Sequence, residues 1–99
     1  MLDLGKIRDE IDVTDDEIVR LFQHRMALTA EVAQYKIETG KAVFDAERER
    51  QKLEKLTGEG TNAFNIKGIQ ELFQQIMSIS RKRQYQLLTE NGGEEMTDY

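Results

Sequence analysis

Residues 4–39 read LGKIRDEIDVTDDEIVRLFQHRMALTAEVAQYKIET, and this stretch decides the fold. Its apolar residues recur at spacings of three and four, which is typical of one face of an amphipathic helix. Gly40 is a residue type that often lies just past the end of a helix. The pattern predicts one helix from Leu4 to Thr39, about 54 Å long at 1.5 Å per residue. Its inward stripe comprises Leu4, Ile7, Ile11, Thr14, Ile18, Leu21, Arg25, Leu28, Val32 and Tyr35.

The length of this helix predicts that a second chain is present. A compact domain of 99 residues has a radius of gyration of only about 13 Å. The remainder of the chain is too short to cover a helix of about 54 Å, so we expect a second copy of the chain to bury the rest of the stripe. Because no strand pattern is visible, the expected fold is all-α.

Two further helices are predicted to follow. Asp45 is a suitable N-cap for the second helix, which should end near Thr57, before Gly58 and Gly60. Asn65 is the N-cap candidate of the third helix, which repeats the spacing of three and four. The stripe of the third helix comprises Ile66, Ile69, Phe73, Ile76, Ser80, Arg83 or Gln84, and Leu87.

The chain divides into a helical domain and a polar end. Residues 1–90 hold all three predicted helices and form the expected domain. Residues 91–99 are polar and acidic and contain two glycines. That composition predicts a disordered tail, or a linker that leads to another domain.

Composition argues against several classes of protein. There is no cysteine and one histidine, His24, which argues against a thiolate or histidine metal site and against a Ser-His-Asp triad. A net charge of −5 argues against nucleic acid as a partner. No apolar run approaches the length that spans a membrane, and no apolar signal segment is visible. We therefore expect a cytoplasmic protein that needs no metal or other cofactor.

A cation interrupts the apolar stripe of the first helix. Arg25 occupies an inward position, where an unpaired charge is costly. Lys36 follows eleven residues later, about 20° away around the helix and about 16 Å along it. The two long side chains can therefore converge on one small anion. The simpler interpretation is a buried salt bridge, or two side chains that extend to water.

Further polar residues lie on or beside the inward stripes and at the start of the second helix. The set is rich in cations and contains no nucleophile–base pair, so it favours binding of a small polyanion and stabilisation of charge by fixed electrostatics. Arg8 lies about 25 Å from Arg25 along the helix and about 100° around it. In an antiparallel pair of long helices, Arg8 of one chain can enter the pocket of the other. The set comprises Arg8, Arg25, Lys36, Asp45, Arg48, Glu49, Ser80 and Gln84.

Five short segments of the chain match those of a known family in their order and spacing. They are residues 7–12 (IRDEID), 21–26 (LFQHRM), 32–36 (VAQYK), 43–49 (VFDAERE) and 72–76 (LFQQI), followed by Ser80 and Gln84. Each segment is weakly specific alone, but together they cover nearly the whole chain. In these segments the chain resembles the all-helical chorismate mutases, which form small interlaced dimers.

The resemblance implies an activity and an assembly. The reaction would be the pericyclic rearrangement of chorismate to prephenate, on the route to phenylalanine and tyrosine. The assembly would be an interlaced homodimer with three helices per chain and two equivalent sites. A prephenate-processing domain could follow the mutase domain in a longer bifunctional enzyme.

The resemblance also implies a role for each site residue. Arg25, together with Arg8 from the other chain, would bind carboxylates of the substrate. Lys36 and Gln84 would donate hydrogen bonds to its ether oxygen. The remaining contacts would be Glu49 and the backbone near Asp45 with the ring hydroxyl, and Arg48 and Ser80 with the carboxylates.

Two other functions compete with this one. One is that of the isochorismate-pyruvate lyases, which look like the same fold with a similar cationic pocket. Those relatives tend to lack the pair of acidic residues that this chain has at Asp45 and Glu49. A helical dimerisation or regulatory module without catalysis is the other alternative. No pocket position is visibly substituted, which argues against that second alternative.

Overall fold

A computed structural model describes residues 1–91 of the chain, and these residues are all helical apart from short connections. Helix α1 spans Leu4–Thr39, α2 spans Ala46–Thr57 and α3 spans Ala63–Glu90. The predicted all-α class with three helices is therefore confirmed. The predicted tail or linker lies, beyond Asn91, outside the described residues.

Helix α1 has the predicted length because both of its ends are capped. The side chain of Asp3 accepts a hydrogen bond from the backbone N–H of Lys6, which satisfies one free donor of the first turn. Gly40 follows the last turn with φ of 72°, and its N–H donates to the carbonyl of Lys36. A residue with a Cβ atom is disfavoured in that left-handed conformation, so glycine ends the helix there.

The N-cap of α2 is also as predicted. The side chain of Asp45 accepts a hydrogen bond from the backbone N–H of Arg48 at 3.0 Å. Glu47 and Glu49 follow in the first turn, where negative charge is favoured by the helix dipole. The helix therefore begins directly after Asp45.

The predicted N-cap of α3 is wrong. Asn62, and not Asn65, caps the helix, and its side chain accepts a hydrogen bond from the backbone N–H of Asn65 at 2.7 Å. Asn65 lies inside the first turn, where its side chain donates back to the hydroxyl of Thr61. The turn before the helix is tight, since a Cβ atom on Gly60 would lie 2.5 Å from Cγ1 of Ile66.

Helix α3 packs against both α1 and α2. The chain is elongated, with extents of 60 × 25 × 20 Å and a radius of gyration of 17.2 Å. Its buried apolar residues within 1–91 are few, namely Ala33, Val43 and Met77. They lie around the C-terminal half of α1, and no other part of residues 1–91 covers the N-terminal half.

Much of the predicted inward stripe of α1 is uncovered. Every residue from 8 to 21 is exposed, and Leu4, Ile18 and Tyr35 retain 59%, 55% and 51% of their surface. Large contiguous apolar surfaces of this kind are typical of protein–protein interfaces. The stripe therefore has the property expected of a dimer interface, and the dimer itself stays a prediction.

Candidate active site

A cavity of about 340 Å³ lies where the C-terminal half of α1, the start of α2 and α3 meet. Its volume is in the range of sites that bind small molecules. Seven of the eight predicted site residues line it: Arg25, Lys36, Asp45, Arg48, Glu49, Ser80 and Gln84. Residues separated by up to 59 positions in the sequence are thus brought to one place by the packing of three helices.

Arg25 is held in the cavity by α3. Its Nη1 donates a hydrogen bond to Oγ of Ser80 at 2.5 Å, and Ser80 is only 7% exposed. Thr29 lies beside this contact, since its hydroxyl donates to the carbonyl of Arg25 and is 3.5 Å from Oγ of Ser80. Burial lowers the pKa of Arg25, and the negative charge of Glu49 partly opposes that shift.

Lys36 is held in the cavity by the connection between α1 and α2. Its Nζ donates a hydrogen bond to the carbonyl of Val43 at 2.6 Å, and Val43 is buried. Burial lowers the pKa of Lys36, while the carboxylates of Asp45 and Glu49 act in the opposite direction. The ammonium group is therefore partly desolvated, and its contact in the folded chain is with a neutral carbonyl.

Within residues 1–91 neither Arg25 nor Lys36 forms an ion pair. The simpler interpretation of Arg25 as half of a buried salt bridge is therefore not supported. A partly buried cation that forms no ion pair is costly, and an anionic ligand between the two groups would lower that cost.

The lining of the cavity is positively charged although the chain is acidic. It carries five cationic side chains against two carboxylates, a formal charge of +3, whereas the whole chain carries −5. A concave site of this kind concentrates field lines and attracts anions locally. The carboxylates, Asp45 and Glu49, lie together at the start of α2, so the negative charge is confined to one wall.

Gln84 brings a neutral amide into the same cavity. Gln84 is 8% exposed. Within the described part of the chain, its Oε1 is buried without a hydrogen-bond partner. An unsatisfied buried polar atom costs about 1–3 kcal/mol. A half-turn of the amide would present its N–H groups there instead. Gln84 therefore has hydrogen-bonding capacity that the folded chain does not use.

Arg8 is the predicted residue that does not line this cavity. It is exposed on the N-terminal half of α1, about 25 Å along the helix from Arg25. The single chain therefore does not bring the two arginines together. Its predicted place in the site of another chain stays a prediction.

Three polar lining residues were missed in the sequence: Thr29, Lys52 and Arg81. Thr29 had a signal, because it lies four residues after Arg25 and seven before Lys36, on the same face of α1. The sequence contains no signal for Lys52 or Arg81, because each lies near other charged residues in a pattern typical of a solvated surface. Arg81 forms an ion pair with Glu49.

Other features of residues 1–91 are less informative. A larger open groove of about 790 Å³ is lined only by residues between Ser78 and Glu90 of α3, so it is the surface of one helix. No group of three or more potential metal ligands is present in this part of the chain. No helix among these residues combines the length and the apolarity needed to cross a membrane.

Comparison with known proteins identifies the family. Residues 7–85 match the family of chorismate mutase type II. Similar curated proteins include the bifunctional chorismate mutase/prephenate dehydratase of Buchnera aphidicola subsp. Acyrthosiphon pisum, which is 42% identical over 83 residues. The proteins of the same name from Buchnera aphidicola subsp. Schizaphis graminum and Enterobacter agglomerans are 40% and 38% identical, each over 87 residues.

These alignments cover 82%, 87% and 86% of this chain but only 21%, 23% and 22% of the relatives. The chain thus spans about a fifth of the length of the proteins that it resembles. No solved structure matches it. The family match covers most of the chain and includes every residue that lines the cavity. The chain therefore belongs to the chorismate mutase type II family.

Proposed function

We propose that this chain is a chorismate mutase, which rearranges chorismate to prephenate in the biosynthesis of phenylalanine and tyrosine. The observation that supports the proposal most strongly is the presence of two partly buried cations, Arg25 and Lys36, that face one cavity without forming ion pairs. Chorismate carries two carboxylates and an ether oxygen that gains negative charge during the rearrangement, so it offers a hydrogen-bond acceptor to each cation.

The chemistry needs charge stabilisation more than proton transfer. The ether C–O bond lengthens before the new C–C bond is complete, so the oxygen gains negative charge in the transition state. Lys36 and Gln84 would donate hydrogen bonds to this oxygen. Because the charge is larger in the transition state than in bound chorismate, these contacts favour the transition state selectively.

The second requirement is to hold a flexible substrate in a folded conformer. Arg25 would bind one carboxylate, with Ser80 beside it, and Arg48 would bind another. A guanidinium group matches a carboxylate with two parallel hydrogen bonds, so it fixes orientation as well as position. Arg25 is already held by Ser80 in the folded chain, which reduces the entropy lost on binding.

The carboxylate wall of the cavity would recognise the ring hydroxyl. Glu49 lies in the first turn of α2 and would accept a hydrogen bond from the hydroxyl, assisted by the backbone near Asp45. This pair of acidic residues favours the mutase over an isochorismate-pyruvate lyase. A non-catalytic dimerisation module would have no use for the unpaired cations of the cavity.

We further propose that the chain acts as an interlaced homodimer. The exposed apolar stripe of α1 supports this proposal, as does the exposed position of Arg8. In the dimer, Arg8 would enter the other chain's cavity and bind a substrate carboxylate. Residues 1–90 would form the mutase domain of a cytoplasmic protein, and a prephenate-processing domain would suit the bifunctional names of the relatives.

The proposal is tested by product identification. The purified chain is incubated with chorismate and, separately, with isochorismate, and the products are identified by proton NMR. Formation of prephenate from chorismate is the expected result. Release of pyruvate from isochorismate, with chorismate unchanged, would assign the lyase instead, and no reaction with either compound would support the non-catalytic module.

A further inference from the structure

The contact between Arg81 and Glu49 differs from every other ion pair formed within residues 1–91. It joins α3 to α2, whereas the others link residues three or four positions apart in the sequence. Its side chains are 30% and 26% exposed, whereas all the others are more than half exposed. An ion pair that is partly shielded from water is weakened less by salt than a surface pair. The pair of Arg81 and Glu49 is therefore suited to holding the two side chains in one arrangement between α3 and α2.

The guanidinium of Arg81 is itself fixed from a second side. It lies over the ring of Phe44, 5.0 Å from the ring centroid, in the connection that precedes α2. A guanidinium on an aromatic face is attracted by the ring quadrupole. Arg81 is thus held between Phe44 and Glu49. Arg81 and Glu49 both line the cavity, and the two also line a neighbouring groove together with Phe44.

We infer that Arg81 is a positioning residue, which holds the carboxylate of Glu49 so that one oxygen remains directed to a hydroxyl group of the ligand. Arg81 binds Oε1 of Glu49, and Oε2 receives no hydrogen bond from the described residues. An ionised carboxylate accepts several hydrogen bonds, so pairing with Arg81 leaves capacity for a hydroxyl. This inference rests on the proposed function. In it, the positioned carboxylate of Glu49 makes the site selective for a ring that bears a hydroxyl group.

A second consequence concerns the two cations that α1 contributes to the cavity, Arg25 and Lys36. Glu49 interacts electrostatically with both Arg25 and Lys36, although it forms an ion pair with neither. Without Arg81, the attraction of those cations would draw the carboxylate towards them. Glu49 would then compete with the anionic substrate. Arg81 therefore keeps the carboxylate available for the hydroxyl and keeps the two cations available for the substrate.

Two simpler roles for Arg81 make different predictions. If Arg81 only joins α2 to α3, its loss should weaken binding of all ligands equally. If it binds a carboxylate of the substrate directly, its loss should also affect ligands with and without the ring hydroxyl equally. Only the positioning role predicts a loss that depends on the hydroxyl group, because a site with a dedicated acceptor discriminates strongly against a ligand that lacks the donor.

The test uses two bicyclic ether dicarboxylates that mimic the transition state, one with the ring hydroxyl and one without it. Their dissociation constants are measured by calorimetry for the wild-type chain, Arg81→Met and Arg81→Lys. We expect Arg81→Met to weaken the hydroxylated compound about 10- to 100-fold more than the other compound. Arg81→Lys should recover part of that difference, since it keeps the charge but not the fork geometry.

The matched control is Arg50→Met. Arg50 is adjacent to Glu49 in sequence, but it pairs with Glu47 and Glu54 on the exposed surface of α2. Its loss should leave both dissociation constants within about twofold of the wild type. Circular dichroism and a thermal melt establish that each variant is folded. If Arg81→Met is not folded, Arg81→Gln and Arg81→Lys carry the comparison.

A double-variant measurement separates Arg81 from Glu49. In a Glu49→Gln background, Arg81→Met should change affinity for the hydroxylated compound by less than about threefold, because the carboxylate that Arg81 positions is gone. Equal losses for the two compounds, or a full loss in the Glu49→Gln background, would overturn the inference. Both results can occur while the wild type still converts chorismate to prephenate, whereas absence of that conversion overturns the proposed function.

Discussion

Nη1 of Arg25 donates a hydrogen bond to Oγ of Ser80, 55 positions later in the chain, at 2.5 Å. This contact joins α1 to α3 and satisfies one donor of a guanidinium that has five. A serine hydroxyl carries no charge, so the cation keeps most of its capacity to bind an anion. The same contact therefore stabilises the packing of two helices and orients a charged group towards the cavity.

Gln84 separates the proposed mechanism from simple binding. In Gln84→Glu, an ionised carboxylate would lie beside an oxygen that gains negative charge, which is repulsive, whereas a protonated one can donate. Turnover should therefore be low near neutral pH and rise as pH falls through the pKa of the introduced carboxyl group. Gln84→Ala should be poor at every pH, with kcat reduced more than affinity. The measurement is kcat from mildly acidic to neutral pH for both variants.

The result that contradicts this assignment is a flat profile that resembles the wild type in both variants. Gln84 would then play no part in the reaction. Arg83 provides a matched control on the same helix, since it is exposed and bonds to Gln86 at the surface. Arg83→Gln should not acquire the dependence on acidic pH.

Mixed dimers test whether Arg8 serves the other chain. Arg8→Ala and Arg25→Ala should each be nearly inactive as homodimers, because each lacks a carboxylate contact in both sites. A dimer with one variant of each kind would have one site with both arginines and one with neither. It should recover about half of the wild-type activity per dimer, on the arithmetic of symmetric sites. Co-expression with two affinity tags isolates that dimer for assay.

Failure of folded mixed dimers to recover activity would count against a shared site. Sedimentation supplies the control for the assembly itself, and a folded, active monomer at micromolar concentration would exclude the interlaced dimer. Arg20 offers a neutral substitution on the same helix, since it is exposed and pairs with Glu17. A dimer of an Arg20→Ala chain and an Arg25→Ala chain should have one complete site and about half of the wild-type activity. That value sets the level that the mixed dimer of the Arg8 and Arg25 variants should reach.

Lys36 should limit activity at alkaline pH. Burial lowers its pKa below the ordinary value of 10.5, and the reaction needs the charged ammonium group. We expect kcat/KM, which reports groups of the free enzyme, to fall as pH rises, with a midpoint below 10.5. A midpoint at or above that value would show that the charge of Lys36 does not limit activity. Lys41 is exposed, and Lys41→Met should leave the profile unchanged.

The same shift affects stability with a definite sign. Because the pKa of Lys36 is lower in the folded chain, the unfolded chain binds more protons between that lowered pKa and 10.5. The free energy of unfolding should therefore receive a contribution that rises with pH across this window. Below the window the desolvation cost is fully present. Lys36→Met should lack this contribution when urea denaturation is compared at fixed protein concentration.

Gly40 should be sensitive to substitution for a backbone reason alone. Its φ is 72°, and nothing lies within 4 Å of an added Cβ atom. Gly40→Ala should lower the free energy of unfolding by about 1–2 kcal/mol through strain in the left-handed conformation. Gly40→Asn should cost less, since asparagine tolerates that conformation better. Equal and negligible effects of both substitutions on urea denaturation would show that the chain rearranges there.

The sequence predicted those features that depend on local pattern. Arg25 and Gln84 were identified because each interrupts an apolar helical stripe, and the position of Gly40 and the cap at Asp45 follow from local backbone requirements. The N-cap of α3 was placed wrongly because Asn62 and Asn65 are both good capping residues, and the helix begins after the first of them. The sequence pattern alone does not distinguish between these two residues as the N-cap.

Other features depend on packing between helices and leave no local signal. Arg81 stands in a run of three cations, residues 81–83, that resembles a solvated surface. Its partner Glu49 is 32 positions away, and its aromatic neighbour lies in a connection. Only the approach of α3 to α2 brings these groups together. The hydrogen bond from Lys36 to the carbonyl of Val43 is likewise a consequence of how the chain turns after α1.

The cationic cavity should accelerate conversion of chorismate to prephenate. The most direct measurement is kcat/KM for that conversion by the purified chain, with Lys36→Met measured in parallel and folding verified for both. We expect prephenate formation by the wild type and a loss of about 100-fold or more in the variant, the size expected when a donor to developing charge is removed. Equal rates for the two proteins, or no conversion by the folded wild-type dimer, would contradict it.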